Sequence, residues 1–118
     1  VKTPFGRRIF IPFINDKIAA RRNFAERSSI NAPIQGGAAD LIKLVMPKVF
    51  DFLCEKKLKT KMLLQVHDEL IFEVPDAEMN EIKDQIPKIM TTSYKDYLNL
   101  KVPIVVDTGY GNNWDDAN

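Results

Sequence analysis

Apolar positions along this chain switch between helical spacing and strict alternation, and the switches divide it into elements. Residues 5–13 predict a short hairpin or extended arm, with Gly6 at the turn and Pro12 limiting strand length. Ile18, Ala19, Arg22, Ala25 and Ser29 fall at helical spacing and predict a helix over 16–30. Asn31-Ala32-Pro33 should end it, because the residue before a proline is pushed out of the α region. A second, longer helix is predicted from Gln35 or Gly36. Ala38, Leu41, Ile42, Val45, Val49, Phe52 and Leu53 trace its apolar face. Pro47 inside this run predicts a kink, and Lys56-Lys57-Leu58-Lys59 closes the helix with cations suited to its negative end.

Strand-forming apolar runs come next. Met62, Leu63, Leu64 and Val66 precede a charged tip; Leu70, Ile71, Phe72 and Val74 follow it. This predicts a β-hairpin over 61–74. Pro75-Asp76 opens a third predicted helix, with Asp76 as N-cap, Glu78 in the first turn, and Met79, Ile82, Ile86, Ile89 and Met90 on the buried face. Pro87 predicts a kink there or an early end. Over 102–110, Val102, Ile104 and Val106 alternate with Pro103 and Val105, which predicts a last strand. The expected class is α+β: a small antiparallel β-sheet with helices on one face.

Composition narrows the class without changing it. A chain of 118 residues, 45% apolar and 28% charged, is one globular domain or a piece of one. No signal peptide and no apolar run of membrane-spanning length is present. The single cysteine, Cys54, cannot form an internal disulfide, which suits a reducing cytoplasm; Phe50, Phe52 and Leu53 beside it suggest a packing thiol. The net charge of +1 hides an asymmetry. Residues 1–27 carry seven basic and two acidic side chains, net +5; residues 68–84 carry one basic and seven acidic, net −6. The basic half suits a phosphate backbone and the acidic one a metal, although solvated faces are the commoner meaning of such blocks.

The densest chemistry lies in residues 65–74, Gln-Val-His-Asp-Glu-Leu-Ile-Phe-Glu-Val. Asp68 and Glu69 at a rigid hairpin tip can bind a hard divalent cation and present it to phosphate; a solvated polar turn is the plain alternative. One histidine and one cysteine do not make a zinc site. Gly36-Gly37 is not followed by the lysine of a phosphate loop, and close packing at a helix start accounts for it. Arg27, Asn31 and Gln35 recur every four residues and would share a face. Such side chains can test base-pair geometry in the minor groove, where every pair offers equivalent acceptors; capping of helix ends around Pro33 is the alternative. Arg7, Arg8, Arg21 and Arg22 are candidate phosphate contacts or plain surface.

Residues 25–40, Ala-Glu-Arg-Ser-Ser-Ile-Asn-Ala-Pro-Ile-Gln-Gly-Gly-Ala-Ala-Asp, read together with the His67-Asp68-Glu69 hairpin, resemble the C-terminal part of the polymerase region of family A DNA polymerases, the bacterial DNA polymerase I type. The Phe5-Gly6-Arg7-Arg8 opening and the Gly109-Tyr110-Gly111-Asn112-Asn113-Trp114 ending fit the same family, so the resemblance covers essentially the whole chain.

The resemblance implies a palm fragment, 35–118, with a fingers-side arm and helix over 1–34. It implies DNA-directed DNA polymerase activity in the parent: nucleotidyl transfer to a primer 3′-hydroxyl with two Mg²⁺ ions. Asp68 matches a metal-binding aspartate, Glu69 has a supporting catalytic role, and His67 lies by the primer terminus; a hydrogen-bonded structural histidine is the other reading of His67. Arg27, Asn31 and Gln35, with Arg7 and Arg8, become DNA-binding candidates. Partners are primer–template DNA, deoxynucleoside triphosphates and the remaining palm, fingers and thumb. Gly37 departs from the family's usual threonine, and Ser28-Ser29 and Pro47 depart in packing. The first aspartate motif, the nucleotide-gripping fingers helix and the thumb are missing, and Val1 is not a natural start. The expectation is therefore an excised piece, inactive alone. A stand-alone nucleic-acid-binding or interaction module without catalysis is the competing reading.

Overall fold

A computed structural model describes residues 1–117. Their elements run α1 (Ala19–Glu55), β1 (Lys61–Val66), β2 (Glu69–Glu73), α2 (Met79–Thr92) and the short α3 (Trp114–Ala117). The mixed α+β class is the one expected, with an antiparallel sheet of two strands, β1 and β2. The chain forms two compact units, Val1–Leu41 and a second from Ile42 onward.

In the first unit a hairpin forms with Gly6 at its turn, as expected, but it joins residues 1–3 to 7–9 and does not extend over 5–13. Lys2 and Arg8 form an antiparallel bridge, and Gly6 takes a φ of 91° at the turn. Thr3 N–H donates to Arg7 O at 2.9 Å and Ile9 N–H to Val1 O at 2.7 Å. The arm then packs on α1. Asp40 accepts hydrogen bonds from Thr3 Oγ1 and Arg7 Nε, both at 2.7 Å. A Cβ at Gly36 would stand 2.8 Å from Ile9 Cδ1 and from Thr3 Cγ2; one at Gly37 would stand 3.0 Å from Pro4 Cδ. The glycine pair thus serves close packing, as expected, but inside a helix rather than at its start.

The helix break expected at Asn31-Ala32-Pro33 is not there. A single helix of 37 residues runs through Pro33, Gly36-Gly37 and Pro47. Each proline removes one backbone donor and crowds a carbonyl, at a cost of about 3 kcal/mol. Tertiary contacts offset that cost. Ala25 is buried, as is Thr3, which donates to Asp40, and Val45 and Val49, on either side of Pro47, are fully buried. Propensity is a weak prior that packing of this kind overrides. The helix begins where Asp16 Oδ1 accepts from Ile18 N–H at 2.7 Å. It ends in a left-handed residue, Lys57 at φ 53°, with Leu58 N–H reaching Leu53 O at 3.0 Å and Lys57 N–H reaching Cys54 O at 3.1 Å. That double closure satisfies carbonyls that the last turn leaves open.

The second unit is built on the buried stripe Ile42, Val45, Val49 and Leu53 of α1 and on Ile82, Ile86 and Tyr94. Each such aliphatic side chain stabilises by about 1.5–3 kcal/mol. Lys48 Nζ donates to Ser93 O at 3.1 Å and stands 5.3 Å from the Tyr97 ring centroid. α2 buries the face its sequence predicts, but Pro87 does not end it.

Two further expectations fail. Asp76 is not an N-cap: residues Asp76–Glu78 form a 3-10 turn ahead of α2 with no side-chain cap. Glu78 is the residue with partners. Its carboxylate accepts from Lys59 N–H and Thr60 N–H, each at 2.9 Å, and from Thr60 Oγ1 at 2.7 Å. These bonds, that from Lys59 foremost, hold the Glu78 carboxyl below its ordinary range. The second failure is the predicted strand over 102–110, which has no regular structure. Its alternation survives only in part: Ile104 and Val106 are half-buried and Pro103 and Val105 exposed, but Val102, expected on the side of Ile104, is open to solvent. A strand needs a neighbouring ladder, and this segment has none among the described residues.

Candidate functional site

β1 and β2 pair in the register Lys61↔Glu73, Met62↔Phe72, Leu64↔Ile71, Gln65↔Leu70 and Val66↔Glu69. Leu63 is the extra residue of a β-bulge, which strengthens local twist. The loop is only His67-Asp68, the tightest common hairpin connection. His67 takes φ 52°, a left-handed conformation that costs a non-glycine residue about 1–2 kcal/mol. Primed hairpin turns need such an angle at their first position, because only then does the turn follow the strands' twist. His67 therefore does work in the backbone, in addition to whatever its ring contacts.

The three tip residues expected to carry chemistry stand together and exposed. Asp68 lies in the turn itself, whereas Glu69 is locked into the first ladder pair. Gln65, which the sequence reading passed over, donates from Nε2 to the carbonyl oxygen of His67. Its signal was available: it is the one polar side chain in the run Met62–Val66. Carboxylate oxygens are the right donors for Mg²⁺, so Asp68 and Glu69 fit it chemically. Among the described residues, no group of three or more His, Cys, Asp or Glu is placed to hold a metal. Two carboxylates alone would supply only part of a donor set.

Arg27, Asn31 and Gln35 lie in α1 and are all exposed. Four-residue steps advance about 40° around a helix, so the continuous helix does place them on one face. Phe24, Ile30 and Ile34 border them and are 62%, 74% and 69% exposed. The capping alternative for Asn31 and Gln35 loses its basis, since α1 has no end near Pro33. Arg7 is engaged within its own unit, in an ion pair with Asp40. Arg8 is exposed. Arg21 lies 3.8 Å from Asp16 and 5.5 Å from the Phe13 ring centroid.

The model of DNA polymerase family A matches residues 1–116. The chain belongs to DNA polymerase family A. It is 44% identical over 117 residues to DNA polymerase I of Pseudomonas aeruginosa, covering 99% of this chain and 12% of that protein. DNA polymerase I of Bacillus subtilis is also 44% identical, with 99% and 13% covered. Among solved structures, the chain is similar to the POL domain of Pol1 from M. smegmatis in complex with DNA primer-template and dNTP. The TM-score is 0.89 at 41% identity, over 99% of this chain and 20% of that one. The chain therefore spans about one eighth of the length of these family A relatives. No helix among its described residues is long and apolar enough to cross a membrane.

Proposed function

We propose that this chain is the C-terminal part of the polymerase region of a cytoplasmic DNA-directed DNA polymerase, with residues 1–34 on the fingers side and 35–118 in the palm. The observation that carries this reading is the exposed His67-Asp68-Glu69 hairpin tip in a family A chain. The similar Pol1 structure, a complex with primer-template and dNTP, supports both as partners.

Asp68, in the turn, is the principal metal ligand, and Glu69, fixed in the ladder, supports it. Mg²⁺, when bound, stabilises charge on the transferred phosphate and eases deprotonation of the primer hydroxyl. The remaining donors come from a second aspartate motif elsewhere in the parent. Arg27, Asn31 and Gln35 face the minor groove at the primer–template end and test the shape of each pair. Arg8 meets phosphate, while Arg7, held by Asp40, orients the arm as well as meeting DNA. The apolar residues exposed beside them, Phe24, Ile30 and Ile34, meet the rest of the polymerase.

The decisive experiment is primer extension by the parent enzyme carrying Asp68→Ala. The rate should fall by orders of magnitude with primer–template affinity nearly unchanged, because metal ligation acts on the transition state. Glu69→Ala should cost less. Turnover within about threefold of the native rate after Asp68→Ala would remove the metal-ligand assignment. The 118-residue chain alone should incorporate no nucleotide.

A further inference from the structure

Asp68 sits in a loop of two residues, so its direction is set by the peptide plane that precedes it. That plane carries the carbonyl of His67. His67 is left-handed, a conformation uncommon for any residue but glycine, although histidine adopts it more often than most. Gln65 Nε2 donates to that same carbonyl oxygen. Gln65 lies in β1 opposite Leu70, so its backbone is fixed by the ladder while its side chain reaches forward to the tip. Gln65 is exposed and, after Lys61 at its start, is the one polar side chain of β1.

We propose that Gln65 is a positioning residue: its carboxamide clamps the His67 carbonyl, holds the left-handed turn, and so aims the Asp68 carboxylate at the metal. This rests on the reading of Asp68 as a metal ligand. Gln65 acts through the backbone and need not touch metal or substrate.

The test uses the full parent polymerase bound to primer–template and a non-hydrolysable triphosphate analogue, with Mn²⁺ as a paramagnetic stand-in for Mg²⁺. Mn²⁺ affinity is read by electron paramagnetic resonance, and thermal stability is measured beside it. Gln65→Leu keeps bulk and removes the donor. It should weaken Mn²⁺ binding about fivefold, the factor that one ordinary hydrogen bond represents, with little change in melting temperature. A lower melting temperature with unchanged Mn²⁺ affinity would make Gln65 merely structural and overturn the proposal. Glycine adopts the left-handed angle unaided. In a His67→Gly background the Gln65→Leu effect should therefore shrink; its persistence in full would also overturn the proposal. Should Gln65→Leu fold poorly, Gln65→Asn, too short to reach the carbonyl, replaces it and must show the same loss. Asp68→Ala in the same assay separates the two ideas. If it leaves Mn²⁺ affinity intact, the metal-ligand reading fails; if it weakens binding and Gln65→Leu does not, only the clamp fails.

Discussion

The hairpin tip and the polar stripe of α1 are both exposed and both bordered by apolar residues, yet they are held in different ways. The tip stands on a two-residue loop, one left-handed residue and one side-chain bond to a carbonyl. The stripe stands on a regular helix whose opposite side is clamped by the arm through Asp40 and the Gly36-Gly37 contacts. A carboxylate that must meet a metal needs an aim that single bonds can set. Side chains that test groove shape, the role proposed for the stripe, need an evenly spaced row, which a continuous helix gives. The difference predicts local, separable losses at the tip and collective ones along the stripe.

The strongest break in the comparison is therefore an attack on the stripe from behind. Gly36→Val would place its Cβ 2.8 Å from Thr3 Cγ2, on a buried, β-branched neighbour with little freedom to move. Two further methyls cannot be accommodated while the arm stays docked. Overpacking of this kind costs about 1–3 kcal/mol, and the upper end is expected because the Asp40 bonds are strained too. Hydrogen exchange in the parent enzyme should show faster exchange at Thr3, Gly6 and Ile9. Unchanged protection there would show that the arm is not held by this contact.

A next, functional probe is Gln35→Ala. If the stripe reads acceptors common to all pairs, extension should slow alike on primers ending in each of the four, by about 1–3 kcal/mol in activation free energy. A terminal base analogue lacking the minor-groove acceptor should slow the native enzyme and add little to the variant's defect. Full additivity of the two changes would remove the contact.

At the tip, His67→Gly should act in the opposite direction on stability. It releases the left-handed strain, and the parent's unfolding midpoint should rise by the equivalent of about 1 kcal/mol. A lower midpoint would mean that the imidazole contributes more than the turn costs.

The same contrast explains what could be read from sequence. The hairpin was legible because apolar, strand-forming runs on either side of a charged tip are local, and Ile82 and Ile86 were legible because helical period survives packing. The unbroken α1 was not: Pro33 argues for an end, and the arm that offsets it is distant in sequence. Nor was the bulge at Leu63, since Met62-Leu63-Leu64 is apolar throughout and carries no phase. The strand expected over 102–110 fails for the converse reason, as alternation specifies a face but not a partner. Among site residues, Asp68, Glu69 and the helical row came from spacing and family pattern together. Asp40 emerged only from contacts, because Thr3 and Arg7 are distant from it in sequence, whereas Gln65 stands two residues from the carbonyl it meets and was marked by being the one polar side chain of Met62–Val66.

The smallest effect concerns how the hairpin is anchored at its base. Glu78 receives the N–H groups of Lys59 and Thr60 just before β1, and the Thr60 hydroxyl as well. The Lys59 bond leads in holding its carboxyl below the ordinary value of 4.5, with burial opposing. A carboxyl with a lowered folded value binds fewer protons folded than unfolded. Its stabilisation is therefore complete above the ordinary value and lost as pH falls through the folded one. Glu78→Gln removes the charge and turns a donor toward groups that are themselves donors. The native enzyme should exceed this variant in urea midpoint at pH 7, and the gap should narrow steadily below pH 4.5. Primer extension at neutral pH should fall less than for any change at Asp68, since the anchor lies at the far end of the hairpin from the tip. A gap that stayed constant down to pH 3 would show that the charge of Glu78 is not what fastens the strand.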